Sequence, residues 1–346
     1  MERFQIEPLR SGLTELLAAH GVPQTQGRTL LDSMLAADLR GVHTHGLAVL
    51  PAYLSKIDRG GFALGEKTEV LRQTAAFAVA DAKGQLGAVS ASDCMALALE
   101  GARRSGLFAV FCRNANTFGP AFYYAKMAAD RGLIGACCCN SPTAMPAWGG
   151  TKKLLGTNPF SVAVPARSFA PIVVDMATSV VAKSKINEIR KQGGTIPEGW
   201  AVDARGVPTT DPAAAIEGMV LPMAAHKGSA IAMAIDLLAG VLSGAGYQNR
   251  VNRFYSEENR CMNVGQCFAA LDPTLIADDS FYDTVDDYIL ALHASGEAVL
   301  YPGEREQAAY EEAVRGGVAL SEETAAALRG ICGAEHRMGV LVKHGA

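Results

Sequence analysis

The sequence lacks the glycine motifs that mark the common nucleotide-binding loops. No Gly-x-Gly-x-x-Gly segment follows a predicted strand, so the fingerprint of the Rossmann dinucleotide fold is missing. No Gly-x-x-x-x-Gly-Lys-Ser/Thr segment occurs either, which leaves a P-loop ATPase without support. A nucleotide cofactor, if one is bound, must therefore be held in another way.

Cysteine pairs of the metal-binding or redox kind are also missing. None of the eight cysteines forms a Cys-x-x-Cys pair, and Cys137–Cys139 are consecutive inside an apolar run. Adjacent strand residues point to opposite faces, so we expect small buried hydrophobic side chains in a reducing cytoplasm. The first residues contain no apolar signal segment, which agrees with a cytoplasmic location.

Long apolar runs and an excess of positive charge are absent as well. No uninterrupted apolar segment approaches the roughly 20 residues of a membrane span. The formal net charge of −4 gives no basic surface for nucleic acid. We therefore expect neither a membrane nor a nucleic-acid partner, and 49% hydrophobic residues are ample for a large core.

The clearest candidate site is the tract Asp38–Gly46, which reads Asp-Leu-Arg-Gly-Val-His-Thr-His-Gly. It holds two of the chain's seven histidines and lies between two apolar-periodic segments, which predicts a loop between helices. Imidazole is the side chain best suited to proton transfer near neutral pH. A loop that offers imidazole and hydroxyl groups together is a candidate acid–base site.

Two other interpretations of the tract stay open. His43 and His45 are alternate residues, which share a face in an extended segment, so they could be two ligands of a zinc ion. A zinc site would need a third ligand that the sequence does not identify. Either histidine could instead have a purely structural role, as a capping or surface residue.

The apolar periodicity predicts three regions. Residues 1–67 are expected to be helical and to carry the candidate loop. Residues 68–250 alternate predicted strands and helices, which favours a layered α/β domain of cofactor-binding size. Residues 251–346 are expected to contain one strand and three helices, and to pack with the N-terminal region.

Two places in the α/β region are suited to binding a ligand. Lys227 lies in the first turn of a predicted helix, where free backbone N–H groups and an ammonium favour an anion. The segment Asp175–Ser179 directly follows a predicted strand, where α/β sheets bind ligands. The competing interpretations are a solvated lysine and a helix cap by Thr178 or Ser179.

These segments together resemble the type II malate/L-lactate dehydrogenase family. Its members include sulfolactate dehydrogenase, ureidoglycolate dehydrogenase, diketogulonate reductase and piperideine-carboxylate reductase. The resemblance extends over nearly the whole chain, and the joint order of the short motifs makes it specific. The matching segments are Asp38–Gly46, Gly156–Pro159, Asp175–Ser179, Gly199–Asp203, Pro208–Pro212, His226–Gly228 and Tyr301–Glu304.

The resemblance implies a non-Rossmann α/β fold, with three α/β/α layers around a mixed sheet and a helical region built from both termini. It implies a homodimer that binds NAD or NADP. It also implies hydride transfer between the nicotinamide and a small carboxylic acid, a 2-oxo, 2-hydroxy or 2-imino acid. The cofactor-binding residues that it implies are Ser141, Asp175, Met176, Ala177, Lys227, Gly303 and Glu304.

The resemblance also implies the catalytic residues. It gives the proton relay to His45, whose protonated imidazole would donate to the reacting oxygen. Thr44 stands where the family usually has serine and can hydrogen-bond that oxygen. Asp203 is a second candidate for the proton relay. An equally favoured alternative is that Asp203 is only a turn residue beside Gly206. Tyr53 matches a tyrosine of the substrate pocket, and no residue is assigned to a metal.

Two positions depart from the family pattern. Thr117, which we expect in the substrate site, replaces a histidine to which some members give the acid–base role, so that role is left to His45. Val49 replaces a frequent arginine that can hold a carboxylate bidentately, with Arg40 as a possible substitute. An unpaired buried charge costs roughly 2–5 kcal/mol. We therefore predict that malate is not the preferred substrate.

Three functions remain open from the sequence. The first is a 2-oxo-acid reductase or 2-hydroxyacid dehydrogenase. The second is a reductase of a cyclic 2-imino acid, since an imine is protonated on its own and tolerates Thr117 more easily. The third is a non-catalytic, ligand-binding member of the fold, which the retained His45 and Lys227 disfavour.

Overall fold

A seven-stranded mixed sheet forms the centre of the computed structural model, which describes residues 1–255 and 259–332. The strands are β1 (Glu2–Phe4), β2 (Glu69–Gln73), β3 (Phe77–Asp81), β4 (Leu107–Ala115), β5 (Ile134–Cys139), β6 (Phe160–Val164), β7 (Ile172–Met176), β8 (Ala201–Val202), β9 (Pro208–Thr209), β10 (Met219–Val220), β11 (Val264–Leu271) and β12 (Val318–Leu320). The α-helices are α1 (Ile6–Ala19), α2 (Gln24–Leu39), α3 (Leu50–Asp58), α4 (Gly87–Ser105), α5 (Ala121–Ala129), α6 (Lys183–Lys191), α7 (Pro212–Glu217), α8 (His226–Ile235), α9 (Thr274–Ala277), α10 (Ser280–Ala294), α11 (Glu304–Gly316) and α12 (Glu322–Cys332).

The central sheet lies between two helical layers. Its strand order is β2-β3-β4-β11-β5-β6-β7, and only β3 and β4 are parallel neighbours. Helices α4 and α5 pack on the face where Val110, Phe268 and Cys137 lie side by side. A π-helical turn, Asp236–Val241, packs on the other face at Gly265, which has no room for a Cβ beside the Ala239 carbonyl. The predicted α/β/α layering around a mixed sheet is confirmed.

The carboxyl ends of four strands meet at one edge of this sheet. Strands β4 and β5 both pair antiparallel with β11, and β5 and β7 both pair antiparallel with β6. Strand β3 is parallel to β4. Thr117 and Ser141 therefore follow their strands on the same edge at which Asp175 ends β7. Ligands of open α/β sheets bind at such an edge.

A helical region built from both ends of the chain packs beside this edge. Leu9, Leu13 and Leu17 recur at helical spacing along α1 and are fully buried. They share one apolar cluster with residues of α2, α3, β12 and α12. Strand β1 pairs antiparallel with β12, which brings Glu2 opposite Leu320. The expected helical region formed by both termini is therefore present.

The division expected at residue 250 does not coincide with the packing. Strand β11 follows that boundary, yet it is the central strand of the sheet. Helix α10 also packs against the sheet region, where Val285 and Ile289 contact Val164 and Ile172. A short apolar strand carries no local signal of the sheet that it joins, which explains the discrepancy. Residues 256–258 and 333–346 of the expected third region lie outside the described residues.

A smaller unit stands beside the central sheet. Strands β8, β9 and β10 form a three-stranded sheet of very short strands. With α6 and α7 they enclose a separate apolar cluster that includes Ile186, Ile196 and Val220. This unit was not predicted, because two-residue strands have no periodicity to detect. It brings α6 and the end of α7 to the border of the candidate site.

Candidate active site

A cavity of about 650 Å³ separates the helical region from the carboxyl edge of the sheet. Thr44, His45, Tyr53 and Thr117 all line it, so the structure brings together most of the residues expected to act on substrate. Further wall residues are apolar: Leu30, Met34, Val49, Phe118, Phe254 and Met262. We call this space the His45 cavity.

The loop that carries His45 is folded around a buried carboxylate. The Asp38 side chain, 1% exposed, lies 2.8 Å from His43 Nδ1 and accepts a 2.7 Å hydrogen bond from the Leu47 amide. A Cβ on Gly46 would lie 2.1 Å from Asp38 Oδ1, so only glycine fits there. Asp38 thus ties both sides of the short turn His43–His45 to the end of α2. Sequence reasoning assigned it no role, because its burial is visible only in the structure.

The same carboxylate shifts the pKa of His43. The hydrogen bond that His43 Nδ1 donates to the Asp38 carboxylate raises the pKa of His43, and it outweighs the opposing effect of burial. Burial in turn raises the pKa of Asp38, despite the hydrogen bonds from His43 and the Leu47 amide. His43 is therefore held by Asp38, and its Nδ1 is engaged in the loop.

His45 has different surroundings. Its Nδ1 lies 3.0 Å from Thr44 Oγ1, and the ring is accessible from the cavity. Protein walls nevertheless remove much of its water, and this burial lowers the pKa of His45. A neutral imidazole whose Nδ1 accepts from the Thr44 hydroxyl carries its proton on Nε2. His45 can thus present Nε2 to a bound molecule, as a hydrogen-bond donor when Nε2 is protonated and as an acceptor when it is not.

Tyr53 forms an apolar wall opposite the loop. Its ring stacks on Phe62 at 5.7 Å and tilts against Phe254 at 4.9 Å. Complete burial raises the pKa of Tyr53 far above its ordinary value, so the phenol stays neutral. The tyrosine can therefore shape the pocket without contributing charge.

A buried lysine fixes the segment that closes this wall. Lys56 is 1% exposed and donates a 2.9 Å hydrogen bond to the Arg260 carbonyl and a longer one to that of Phe254. Its ammonium also lies over the rings of Phe62 and Phe254. Burial lowers the pKa of Lys56. These bonds hold the chain around Arg253 and Phe254 against the cavity.

Three cations at the cavity were not predicted. Lys153, Lys183 and Arg253 line it, together with one carboxylate, Glu217. Lys153 Nζ donates to the Glu217 backbone carbonyl at 2.8 Å, and Lys183 Nζ to that of Ile216 at 3.4 Å. Burial, followed by the charges of Lys153 and Arg253, lowers the pKa of Lys183. The three cations come from distant parts of the chain, so no local motif marks them.

A second cavity, of about 350 Å³, contains several of the expected cofactor residues. Asp175, Met176 and Gly303 line it, with Arg40 and Glu306. Burial raises the pKa of Asp175 to about 6; the Phe122 amide opposes this shift and the charge of Glu306 adds to it. We call this space the Asp175 cavity.

The two cavities are neighbours. Val42 lines the Asp175 cavity and Thr44 the His45 cavity, and two residues of chain span at most about 7 Å. Gly119 lines the His45 cavity and Phe122, three residues later at the start of α5, lines the Asp175 cavity. One extended molecule can therefore reach both spaces past these two thin partitions.

Arg40 and Asp203 are not brought to His45. The Arg40 guanidinium lies 4.3 Å from the Tyr310 ring centroid and faces the Asp175 cavity, not the cavity that contains Val49. Asp203 accepts hydrogen bonds from the amides of Arg205 and Val207 within its own turn. These bonds, with that of Val207 the strongest, lower the pKa of Asp203.

The remaining expected cofactor residues lie outside both linings. The Ser141 amide donates to Asn158 Oδ1 at 3.0 Å, and the next residues, Pro142 and Thr143, line the His45 cavity. Lys227 is exposed in the first turn of α8, as its helical prediction required. Glu304 follows the cavity-lining Gly303, and its carboxylate lies 3.0 Å from His293 Nε2.

The described part of the chain has neither a metal-binding cluster nor a membrane-spanning helix. Within residues 1–255 and 259–332, no three His, Cys, Asp or Glu side chains converge as ligands for a metal ion. The helices of those same residues include none that is both long and apolar enough to cross a bilayer.

Comparison with known proteins gives consistent matches over almost the whole chain. Residues 4–329 match the model of a family described as malate/L-lactate dehydrogenase. An L-sulfolactate dehydrogenase of Methanothermobacter thermautotrophicus is 35% identical over 320 residues, which are 92% of this chain and 93% of the relative. A ureidoglycolate dehydrogenase of Escherichia coli O157:H7 is 29% identical and covers 92% of both chains.

Solved structures agree with these matches. The sulfolactate dehydrogenase of Methanocaldococcus jannaschii superposes with a TM-score of 0.88 at 32% identity, over 95% of this chain and 96% of that one. The delta1-piperideine-2-carboxylate reductase of Pseudomonas syringae pvar. tomato reaches 0.89 at 26% identity, over 96% of this chain and all of that one. The likeness in fold therefore includes both a dehydrogenase and an imine-type reductase.

Proposed function

The chain belongs to the malate/L-lactate dehydrogenase family and is an oxidoreductase. We propose that it interconverts a 2-oxo acid and a 2-hydroxy acid, with His45 as proton donor and acceptor. The observation that carries this proposal is the Thr44–His45 pair, 3.0 Å apart, on the wall of the His45 cavity. Named relatives that act on sulfolactate, malate and ureidoglycolate support the substrate class.

A nicotinamide dinucleotide suits the two neighbouring cavities. In the Asp175 cavity, the Asp175 carboxylate could accept hydrogen bonds from ribose hydroxyls, and the cation Arg40 lines the same space. In the His45 cavity, Pro142 and Thr143 would hold the nicotinamide end. When bound, the cofactor supplies or takes up the hydride, so the protein has only to orient and move a proton.

His45 performs that proton movement. In the reducing direction, a protonated ring donates from Nε2 to the oxygen of the carbonyl group, and in the other direction the neutral ring accepts. The hydroxyls of Thr44 and Thr117 line the same cavity and can hydrogen-bond the substrate's oxygen atoms. Tyr53, Phe118 and Met262 exclude water and keep these bonds strong.

A reductase of cyclic 2-imino acids is the second candidate. One support is Thr117, whose hydroxyl lines the cavity at the position where some family members have an acid–base histidine. The other is the match to a piperideine-carboxylate reductase. An imine nitrogen is already basic, so its reduction depends less on a protein acid. Comparison of turnover on a cyclic imino acid and on its open 2-oxo analogue separates the two candidates.

We also propose that the protein is a homodimer. The helix that continues α8 exposes an apolar face to solvent: Leu237 is 58% and Leu242 61% exposed, with Leu238 and Val241 each 47%. A contiguous exposed apolar patch of this kind marks an association surface. Sedimentation of wild type and of Leu242→Glu tests this, and a monomeric wild type would refute it.

Cofactor binding is the first experiment. Purified protein is titrated with NADH and with NADPH while its melting temperature is followed, because a ligand of the native state raises that temperature. A shift with either cofactor supports the proposed site and identifies the cofactor, and 2-oxo acids are then screened for turnover. Absence of a shift with both would contradict the proposal and favour a non-catalytic member of the fold.

A further inference from the structure

We propose that Cys138 and Cys267 are a redox-active thiol pair, which a hydroperoxide oxidises to a reversible disulfide within the chain. The two residues form a modification site on the central sheet. Neither of them takes part in the proposed hydride or proton transfer, so this inference does not depend on the proposed function. We call Cys138 and Cys267 the β5–β11 thiol pair.

The two cysteines lie directly opposite each other on neighbouring strands. Strand β5 pairs antiparallel with the central strand β11, and Cys138 is the partner of Cys267 in that register. The Cα atoms of directly opposite residues in an antiparallel pair lie about 4.5–5.5 Å apart, and their side chains share one face. A disulfide requires a Cα separation of about 4.4–6.8 Å, so the bond can form without a change in strand pairing.

The β5–β11 thiol pair is open to a small oxidant. Cys138 and Cys267 are both partly exposed, whereas the adjacent Cys137 points to the opposite face and is buried. In the sheet the pair lies between Phe111 and Phe160, the next partners on either side. Such apolar surroundings favour a small uncharged oxidant, and a hydroperoxide has both properties.

A hydrogen bond between the two thiols prepares one of them for reaction. Cys267 donates to Cys138, and this bond lowers the pKa of Cys138 against the opposing effect of burial. The same bond raises the pKa of Cys267, which therefore keeps its proton. The thiolate is the nucleophile in thiol chemistry, so Cys138 attacks the oxidant and Cys267 supplies the second sulfur.

The oxidation takes place in two steps. The Cys138 thiolate attacks one oxygen of hydrogen peroxide: an S–O bond forms, the O–O bond breaks, and the departing hydroxide takes up a proton to become water. The Cys267 sulfur then attacks the sulfur of the Cys138 sulfenic acid. The S–S bond forms, the S–O bond breaks, and the hydroxyl leaves as water with the Cys267 proton. Two thiols thus lose two electrons, and one peroxide is reduced to two waters.

A second pair of thiols in the same fold provides an internal comparison. Cys94 of α4 and Cys112 of β4 also share a hydrogen bond, which, together with burial, raises the pKa of Cys94. Both residues are closed off from solvent, with exposures of 1% and 0%. Because this pair lacks access for the oxidant, we expect it to stay reduced.

The test is treatment of the purified, fully reduced protein with hydrogen peroxide. Free thiols, titrated in denaturant after the peroxide is removed, should fall by two from the eight of the reduced chain. In a digest with the free thiols blocked, mass spectrometry should find the peptide of Cys138 linked to that of Cys267. The oxidised chain should also migrate faster on a non-reducing denaturing gel, because the bond closes a long loop. Dithiothreitol should restore all eight thiols.

Three variants sharpen the test. Cys138→Ser and Cys267→Ser should each lose the linked peptide and the faster band. Cys94→Ala is the matched control, because it removes a thiol from the buried pair, and it should keep both. Equal melting temperatures of the reduced proteins show that the variants are folded. If a variant does not fold, the linked peptide of wild type decides alone.

Three results would overturn the proposal. One is a full set of eight free thiols after a treatment that oxidises free cysteine in the same solution. Another is Cys138 recovered as sulfinic acid while Cys267 stays free, which would mean that the second sulfur does not reach the first. The third is a disulfide that joins two chains, or one that joins Cys94 to Cys112.

Discussion

The two ends of the loop Asp38–Gly46 differ in what surrounds their histidines. At one end, His43 is paired with the buried Asp38 carboxylate, and its pKa is raised. At the other, His45 Nδ1 lies 3.0 Å from the Thr44 hydroxyl, and burial lowers the pKa of His45. Two histidines only two positions apart thus have different roles. One holds the loop, and the other is left free to exchange a proton at the cavity.

Removal of the free imidazole should have the largest effect. We expect His45→Ala to lower kcat roughly 10²–10⁴-fold, the contribution of a positioned acid–base group. Cofactor binding, followed by melting temperature against NADH and NADPH, should stay as in wild type. A variant with more than a tenth of wild-type kcat would show that another group moves the proton.

Removal of the anchoring charge should act mainly through stability. Asp38→Asn keeps the size of the side chain but withdraws the charge from His43, and we expect a loss of about 1–3 kcal/mol in the free energy of unfolding. Urea denaturation measures it. The unchanged length of the amide should let the Leu47 N–H keep an acceptor, so kcat should fall less than in His45→Ala. An unaltered unfolding midpoint would mean that the carboxylate does not hold the loop.

The pH dependence should report the free histidine alone. The reducing direction needs protonated His45, so its rate should fall about tenfold per pH unit above the pKa of that residue, which burial places below its ordinary value. The oxidising direction needs the neutral ring and should lose rate only at acid pH. In His43→Gln both profiles should keep their midpoints. A shifted midpoint there would show that the two histidines titrate together.

Local patterns predicted much of the fold. The short apolar run Phe160–Val164 is typical of a strand, and β6 has these bounds. Lys227 lies in the first turn of α8, as the pattern around it predicts. Strand β2 was missed because all its residues are exposed at the sheet edge. The central place of β11 could not be predicted either, since strand order depends on partners far away in the sequence.

The candidate site was predictable where it is local. Thr44, His45 and Tyr53 belong to one continuous segment, and resemblance to a family pointed to them. Lys153, Lys183 and Arg253 have no such signal, because in the sequence they resemble ordinary surface residues, and only the fold brings them to the cavity. Arg40 and Asp203 were expected beside His45. That expectation depended on the direction of their side chains, which the positions of residues in a loop sequence do not determine. The structure turns Arg40 onto Tyr310 and ties Asp203 into its own turn.

The pairing of β1 with β12 has a consequence for the order in which the chain acquires its structure. Helices α1 to α3 are synthesised before the central sheet, but their apolar faces are covered by β12 and α12, which are synthesised after it. Closing so long a loop is slow, and the sheet between them can form meanwhile. The His45 loop is then completed only when both termini meet. Catalytic competence should be the final event of folding.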